Sequence, residues 1–294
     1  MAVRRWTVGM TMVVAAGAAP ATGGAQTPED WTRPFAPVAV ADRMYYVGSA
    51  GLGAFLLTSD EGHILIDGTL EENVPALLDN VRSLGYDPAD IRIHLVTHAH
   101  FDHVGGSAAV VRATGADLLV SEADAPFLRQ GRDFGLDTEG YAAAEVTRTL
   151  RHLETVRLGD LALTAHVTPG HTPGCTNWTG TVTVAGQPRR FLLACSLSAL
   201  GAYRLAGDDP TWPGLGESFC RSLEYLRTQE ADVFLANHGQ FFGLEEKAAA
   251  RRAGDAEAFV DPGALDRFLG GAATGIDRAR ERQGLPACGA RDAS

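Results

Sequence analysis

Three histidines and one aspartate fall within six residues of the sequence, as His98, His100, Asp102 and His103. Imidazole nitrogens and carboxylate oxygens are the ligands that suit zinc where thiolates are absent. Alternation along the chain lets His98 and His100 point to one side, while Asp102 and His103 diverge toward a second point. This HxHxDH segment therefore predicts a loop that can serve two metal ions.

Two later histidines stand in settings that favour the same role. His171 lies in the PGHTPG turn, residues 169–174, where proline and glycine fix the backbone. His238 follows a predicted strand, and α/β layers place ligand sites at the carboxyl ends of strands. A single histidine beside glycine or proline is more often a surface or capping residue. Together with the HxHxDH segment, however, the two give three ligands for each of two zinc ions and leave positions for water.

Alternating strands and helices are expected to position these residues. Strands are predicted at 44–47, 53–58, 63–67, 91–97, 118–121, 161–167, 177–184, 191–195 and 232–236. Helices are predicted at 71–84, 105–113 and about 216–229, with a helical tract from Leu244 onward. Residues 126–146 lack a clean period and are predicted to form a long loop. Asp67, at the end of a strand, is a candidate to hold the far nitrogen of a ligand histidine, with turn capping as the alternative.

Residues 1–25 have the composition of an export signal. Arg4 and Arg5 precede a short apolar run, and Gly23-Gly24-Ala25 supplies small residues for cleavage. A membrane anchor is the alternative, but a span needs about 20 strongly apolar residues. We therefore expect a periplasmic mature chain, residues 26–294, with no membrane segment. It should form a single domain with two sheet-helix halves, about 40–165 and 166–285, that share one core because no linker separates them.

The charge of the chain limits its partners. Removal of the export signal leaves 23 basic and 36 acidic side chains, a formal charge of −13. Such a surface argues against nucleic acid or anionic lipid as a partner. We expect a monomer that binds a small molecule.

The HxHxDH segment, the PGHTPG turn and the late histidine together resemble the metallo-β-lactamase superfamily. The resemblance implies an α/β fold, a four-layer αββα sandwich in which two mixed sheets pack face to face with helices outside. It also implies two Zn2+ ions at one edge of the sheets. The superfamily includes glyoxalase-type thioesterases, lactonases and nucleases, so the signature implies a chemistry and leaves the substrate open.

The strand end Cys195-Ser196-Leu197-Ser198 narrows this resemblance. Most hydrolases of the superfamily carry an aspartate there that bridges the two metals, whereas this chain has Ser196 followed by Ser198. The pair of serines is similar to subclass B3 of the true metallo-β-lactamases. Trp31 and the stretches 46–52 and 170–179 are further matches.

The resemblance also implies roles for individual residues. The first zinc would be held by His98, His100 and His171, and the second by Asp102, His103 and His238. Ser196 would bind a metal-bound water or nothing, and Ser198 would hydrogen-bond the substrate carboxylate. A zinc-bound hydroxide would attack the carbonyl of the β-lactam ring. The zinc near Asp102 would stabilise the negative charge that develops on the leaving ring nitrogen. Trp31 and Phe134 are further candidate substrate contacts, the latter from the long loop.

The four cysteines contain no CxxC pair, which excludes a zinc ribbon. Cys175 and Cys195 are expected to be free and buried, because Cys195 should face away from Ser196 on its strand. Subclass B3 members often tie back their C-terminal helix with a disulfide. The position usually used, just before the last strand, is Ala231 here, so the link is predicted to use the earlier Cys220, paired with Cys288.

The resulting hypothesis is an exported, zinc-dependent enzyme of antibiotic resistance that hydrolyses the amide bond of anionic β-lactam antibiotics. A lactonase or glyoxalase-type thioesterase on the same fold is the alternative within enzymes. A secreted zinc-binding protein without catalysis is the alternative outside them.

Overall fold

The computed structural model describes residues 28–136, 138 and 140–289. The expected export signal lies outside the described residues. The strands are β1 (Val38–Ala41), β2 (Met44–Tyr46), β3 (Phe55–Ser59), β4 (Gly62–Ile66), β5 (Ile91–Leu95), β6 (Asp117–Ser121), β7 (Arg148–Leu150), β8 (Thr155–Leu158), β9 (Leu161–Val167), β10 (Thr176–Val184), β11 (Gln187–Ala194) and β12 (Val233–Ala236). The α-helices are α1 (Pro28–Thr32), α2 (Val74–Ser83), α3 (Phe101–Val104), α4 (Ser107–Thr114), α5 (Ala125–Gln130), α6 (Leu215–Leu226), α7 (Leu244–Arg252) and α8 (Ala264–Glu281). Single 3-10 turns lie at Glu71–Asn73, Pro88–Asp90 and Gly239–Phe241.

The described strands form two mixed sheets. The first has the order β1-β2-β3-β4-β5-β6-β7 and is antiparallel up to β4, then parallel. The second has the order β12-β11-β10-β9-β8, with β12 and β11 parallel and the other pairs antiparallel. Parallel neighbours need crossover connections, which α2 and α4 supply on either side of β5.

Period-two alternation decides which side chains lie between the sheets. In β3, Phe55 and Leu57 join the central core, whereas Leu56 points to the opposite face and packs in the cluster that includes α2. Trp178 of β10 belongs to the same central core. Its indole Nε1 donates a hydrogen bond of 3.1 Å to the carbonyl of Val96, just after β5. The two sheets are therefore joined directly beneath the HxHxDH segment.

Helices cover the outer faces of both sheets. On the first sheet, Leu77 and Val81 of α2 and Val110 of α4 form a second apolar cluster with the strands. On the second sheet, α8 packs against β12, with the rings of Phe268 and Phe234 5.0 Å apart. This arrangement confirms the predicted four-layer αββα sandwich.

Several local features differ from the sequence-based expectation. The change of sheet falls between β7 and β8, earlier than the boundary expected near residue 165, because β8 pairs with β9. The expected loop at 126–146 begins as helix α5, which accepts Pro126 because proline is tolerated in a first helical turn. None of the described helices is both long and apolar enough to cross a membrane.

Candidate metal centre

The six predicted metal ligands come from three segments and meet at one edge of the sandwich. They are His98, His100, Asp102, His103, His171 and His238. The first four follow β5 and enter the four-residue helix α3, the fifth lies in the turn between β9 and β10, and the sixth follows β12. Five of the residues are buried, and the side chain of His238 is 12% exposed. Strand ends of both sheets therefore build the site.

His100 and His171 face each other through nitrogen atoms that carry lone pairs. His100 Nε2 donates to the carbonyl of Phe134 at 3.0 Å, and His171 Nδ1 donates to the carbonyl of Ser198 at 2.8 Å. Each neutral ring then keeps its lone pair on the other nitrogen. These atoms, His100 Nδ1 and His171 Nε2, lie 3.0 Å apart. Two lone pairs at this distance repel each other unless a cation lies against both.

His98 presents a third lone pair to the same place. Its Nδ1 lies 3.1 Å from Thr97 Oγ1, and that hydroxyl donates its own proton to Asp67 at 2.8 Å. Nδ1 therefore carries the imidazole proton, and Nε2 is left buried with no hydrogen-bond partner. The ligand atoms of His98, His100 and His171 lie within 4.8 Å of one another. Ligand nitrogens around a tetrahedral zinc are about 3.3 Å apart, so the group has the size of a zinc site.

Asp102, His103 and His238 form a second group. Asp102 Oδ2 lies 3.2 Å from His103 Nε2 and 3.5 Å from His238 Nε2. The two imidazole nitrogens are 3.1 Å apart. The ligand atom of His98 also lies within 4.8 Å of those of Asp102 and His103, so the two groups adjoin. This arrangement suits two neighbouring metal ions with three protein ligands each.

Burial and charge set the protonation of these side chains. Desolvation lowers the pKa of His100 to about 4 and that of His238 to about 3. Burial would also lower the pKa of His103, but the carboxylates of Asp102 and Asp67 raise it to about 10. A proton on His103 occupies a nitrogen that a metal ion would bind, so metal binding must displace it.

Asp67 contacts both the segment that carries the ligands and the ring of His103. Its carboxylate accepts hydrogen bonds from the backbone nitrogen and the hydroxyl of Thr97, at 2.7 and 2.8 Å. Its Oδ2 also lies 3.5 Å from His103 Nδ1. The φ angle of Asp67 is 61°, in the left-handed region, which aspartate tolerates better than most residues. The same carboxylate thus holds a turn and faces the far nitrogen of His103, a proposed ligand.

Asp124 is a supporting residue that sequence reasoning missed. It is fully buried, and burial raises its pKa to about 6. It accepts hydrogen bonds from the backbone nitrogens of Ala99, at 2.9 Å, and Gly174, at 2.7 Å. A Cβ at Gly174 would lie 2.7 Å from the Asp124 carboxyl carbon, so glycine is needed for this approach. No local pattern around Asp124 indicates the contact, because both partners are distant in sequence.

Tyr203 and Asn237 were missed as well. The Tyr203 hydroxyl donates to the carbonyl of His171 at 2.6 Å and lies 3.3 Å from His100 Nε2. The Asn237 amide nitrogen lies 3.4 Å from both His103 Nε2 and Ser196 Oγ. Asn237 could have been noticed because it directly precedes His238, whereas Tyr203 has no signal in its surroundings.

The candidate substrate contacts occupy different positions around the centre. Ser196 is buried beside Asn237, and the side chain of Ser198 is exposed. The Trp31 ring lies 6.1 Å from that of His238, measured between centroids, and is half-buried. The ring of Phe134 is buried in the core, 5.1 Å from that of Phe127, and its carbonyl is the group that meets His100. A role for Phe134 in substrate binding stays a prediction.

The two disulfides correct one expectation and bear out another. Cys220 and Cys288 are joined as predicted. The expectation that Cys175 and Cys195 are free is wrong, because they also form a disulfide. They lie at the open end of the β10-β11 ladder with Cα atoms 5.9 Å apart. The bond ties the end of the PGHTPG turn to the end of β11.

The donor set fits zinc. The unpartnered Nε2 of His98 and the facing lone pairs of His100 and His171 mark a place for a cation that accepts nitrogen ligands. Magnesium and calcium prefer cages of oxygen atoms, which five imidazoles do not provide. Three protein ligands for each ion also leave positions for water and substrate, as in catalytic zinc sites.

Comparisons with known proteins agree with this description. The family model for the metallo-beta-lactamase superfamily matches residues 54–179. A subclass B3 metallo-beta-lactamase of Bradyrhizobium japonicum is 34% identical, with a TM-score of 0.82 over 87% of this chain and 97% of that one. A metallo-beta-lactamase of Legionella gormanii is 32% identical, with a TM-score of 0.83 over 86% and 98% of the two chains.

A curated relative has a different name and a shorter match. A hydroxyacylglutathione hydrolase of Anaeromyxobacter dehalogenans is 42% identical over 80 residues, which are 27% of this chain and 25% of that protein. The chain thus spans about a quarter of the length of this relative.

Proposed function

The chain is a hydrolase that belongs to the metallo-β-lactamase superfamily, and from this premise we propose that it opens the ring of β-lactam antibiotics with two zinc ions. The two groups of ligands described above would each hold one ion. The similarity to subclass B3 metallo-β-lactamases extends over nearly the whole length of those chains. It therefore supports this substrate better than the match to a hydroxyacylglutathione hydrolase, which covers 27% of this chain.

The observation that carries the proposal is Ser196 at the end of β11. This residue is buried beside Asn237, at the edge where a bridging carboxylate stands in most hydrolases of the superfamily. Within the described clusters of metal-ligating side chains, Asp102 supplies the carboxylate. A site with one acid keeps more positive charge to stabilise a leaving amide nitrogen, which is a poorer anion than the oxygen of a lactone or the sulfur of a thioester.

The chain's own residues prepare the site in several ways. Hydrogen bonds to the carbonyls of Phe134 and Ser198 fix the tautomers of His100 and His171, so that each ring offers a lone pair. Five neutral imidazoles and one carboxylate would leave two zinc ions with a net charge of about +3. Bound zinc lowers the pKa of water toward neutrality and supplies the nucleophile, so that no serine is needed.

Substrate recognition is assigned to residues at the rim of the centre. Ser198 has an exposed side chain, and its hydroxyl would donate to the carboxylate of a bicyclic β-lactam. Trp31, between the rings of Phe101 and His238, offers an apolar face beside the second group of ligands. The positive charge of the metal centre attracts the same anionic substrate to an acidic protein.

Export and oligomeric state belong to the proposal too. Two disulfides within the described residues suit an oxidising compartment such as the periplasm, because cytosolic thiols are kept reduced. This supports the cleavage of residues 1–25 as an export signal. We propose a monomer, since the site needs no residue from a second chain.

The alternative is a thioesterase or lactonase, which the partial match to a hydroxyacylglutathione hydrolase favours. The zinc-loaded protein should be assayed side by side with a carbapenem, a homoserine lactone and a glutathione thioester. We expect kcat/KM for the β-lactam to exceed the other two by orders of magnitude and to vanish with a chelator. A preference for the lactone or thioester would overturn the substrate and leave the metal centre intact. Stoichiometric zinc without hydrolysis of any of the three would favour a zinc-binding protein.

A further inference from the structure

A cavity of about 620 Å³ lies beside the metal centre, and of the residues assigned to the proposed reaction Ser198 alone is in its wall. Helices α7 and α8 form two of its walls, and the segments at 197–199 and 241–243 form the others. None of the six proposed metal ligands lines it. Its volume is in the range of small-molecule sites, which are about 300–1,000 Å³.

Most of the cavity wall is apolar. The rings of Phe241 and Phe268 lie 5.7 Å apart at their centroids, and Ala264 and Ala272 of α8 add smaller groups. Gly271 and Gly275 leave further room, because a Cβ at either position would meet no atom within 4 Å. Two aromatic rings and several small residues in one wall leave room for an apolar ligand.

Lys247 is the polar group that distinguishes this cavity. It is the single lysine of a chain with 25 lysine and arginine residues. Its side chain is 14% exposed, and its Nζ is buried without a hydrogen-bond partner. The nearest carboxylate oxygen belongs to Asp261, at 4.0 Å, and Asp261 is already bound to Arg267. Glu246, the other acid of the wall, is exposed and therefore screened by water.

A buried ammonium without an acceptor is costly, and burial lowers the pKa of Lys247. A ligand that brings its own carboxylate would remove this cost, and an apolar body would cover the phenylalanine rings. We propose that the cavity binds a small amphipathic monocarboxylate, with the carboxylate on Lys247 and an aromatic body against Phe241 and Phe268.

The cavity is separate from the metal centre, but two residues of its wall also contact proposed metal ligands. The Phe241 ring, in the cavity wall, lies 5.4 Å from the ring of His238. Ser198 also lines the cavity, and its backbone carbonyl accepts the hydrogen bond from His171. A carboxylate could also bind the metal ions, so the test must tell the two places apart. The proposal concerns binding alone and does not rest on the proposed function.

The single lysine provides a direct probe. The zinc-loaded full chain is labelled with 13C at lysine Cε, which gives one side-chain signal, and titrated with 4-fluorophenylacetate. We expect a saturable shift of this signal and binding in 19F spectra. The neutral 4-fluorophenylacetamide should bind about tenfold more weakly or worse, because it lacks the charge-assisted hydrogen bond.

Four variants locate the site by 19F titration. Lys247→Met removes the charge and keeps the aliphatic stem, and Lys247→Arg restores the charge. Gly271→Phe fills the cavity, whereas Gly270→Phe is its matched control, on the same helix with equally open space but outside the wall. Binding should fall about tenfold in Lys247→Met and Gly271→Phe and persist in the other two. An unmoved lysine signal, binding that survives in Lys247→Met, or equal losses in the two glycine variants would overturn the proposal.

Discussion

Asp124 accepts a hydrogen bond of 2.7 Å from the hydroxyl of Thr172. The same oxygen accepts from the backbone nitrogen of Ala99, so one buried carboxylate connects the HxHxDH segment to the PGHTPG turn. These segments carry the three proposed ligands of the first ion. Asp124 therefore acts as a positioning residue, which sets the distance between the proposed ligands without being one of them.

Asp124→Asn should weaken zinc binding at the first site by about 10- to 100-fold, the usual effect of losing an outer-shell partner. The amide nitrogen of asparagine would face at least one of the donors that now meet the carboxylate. Titration against a chromophoric chelator would measure the loss, and circular dichroism would verify the fold. Asp117→Asn, an exposed aspartate on β6, should leave affinity unchanged. Equal affinity in Asp124→Asn and wild type would refute the positioning role.

The purified chain should contain two zinc ions. His100→Ala and Asp102→Ala remove one ligand from each group, so each variant should retain about one ion and lose nearly all hydrolysis. Elemental analysis and a β-lactam assay on the same samples would measure both quantities. His152→Ala, which changes an exposed histidine outside the centre, is the matched control. Active protein without stoichiometric metal would end the interpretation as a metalloenzyme.

The two disulfides should have different effects on the metal centre. Replacing Cys175 and Cys195 by serine should lower the free energy of unfolding by about 3 kcal/mol, because the bond closes a loop of about 20 residues. It should also weaken zinc binding, because the PGHTPG turn loses its tie to the strand end that carries Ser196. Replacing Cys220 and Cys288 should destabilise the fold and leave zinc affinity unchanged. Identical zinc affinities for both double variants would contradict this.

His94 should make stability depend on pH. It is fully buried between the carbonyl of Leu65 and the hydroxyl of Ser107, and burial lowers its pKa to about 4. The unfolded chain, with a histidine pKa of about 6.5, binds more protons, so the free energy of unfolding falls as the pH drops below 6.5. Between pH 7.5 and 5 this group should remove about 2 kcal/mol.

Urea unfolding of the metal-free protein at the two pH values would measure the total loss, to which the buried His100 and His238 also contribute. His94→Gln should lose about 2 kcal/mol less than the wild type, whereas a variant of the exposed His152 to glutamine should lose as much as the wild type. A pH dependence for His94→Gln parallel to that of the wild type would show that another group is responsible.

The sequence was most informative where ligands are consecutive or follow strand ends. The HxHxDH spacing predicted four of the converging side chains, because local backbone geometry alone brings them together. Asp124 and Tyr203 could not be predicted, because each acts on residues that only the packing of the two sheets brings near.

The cysteines show the limit of reasoning from one strand. Alternation along one strand predicted a free Cys195, but the bond to Cys175 depends on the register of β10 against β11. Short strands such as β1 and β7 were overlooked for a related reason. Three or four residues are too few to display a period, and tertiary pairing decides their conformation.

Ser198→Ala tests the proposed substrate carboxylate. The Ser198 hydroxyl is exposed, and the carbonyl that meets His171 belongs to the backbone, so the substitution leaves the metal ligand in place. A hydrogen bond to a charged group contributes about 1.5–3 kcal/mol, and attraction of the carboxylate to the metal ions would offset part of its loss. KM should therefore rise about tenfold, while kcat changes less than about twofold, because the contact is equal in the ground and transition states.

The methyl ester of the same β-lactam is the control for this prediction. It lacks the anionic carboxylate that Ser198 would bind, so wild type and Ser198→Ala should hydrolyse it with the same kcat/KM. Zinc content must be equal in the two proteins, which separates substrate binding from an indirect effect through His171. A loss of equal size with acid and ester would mean that the hydroxyl acts on the site itself, and the assignment of Ser198 to the carboxylate would then be wrong.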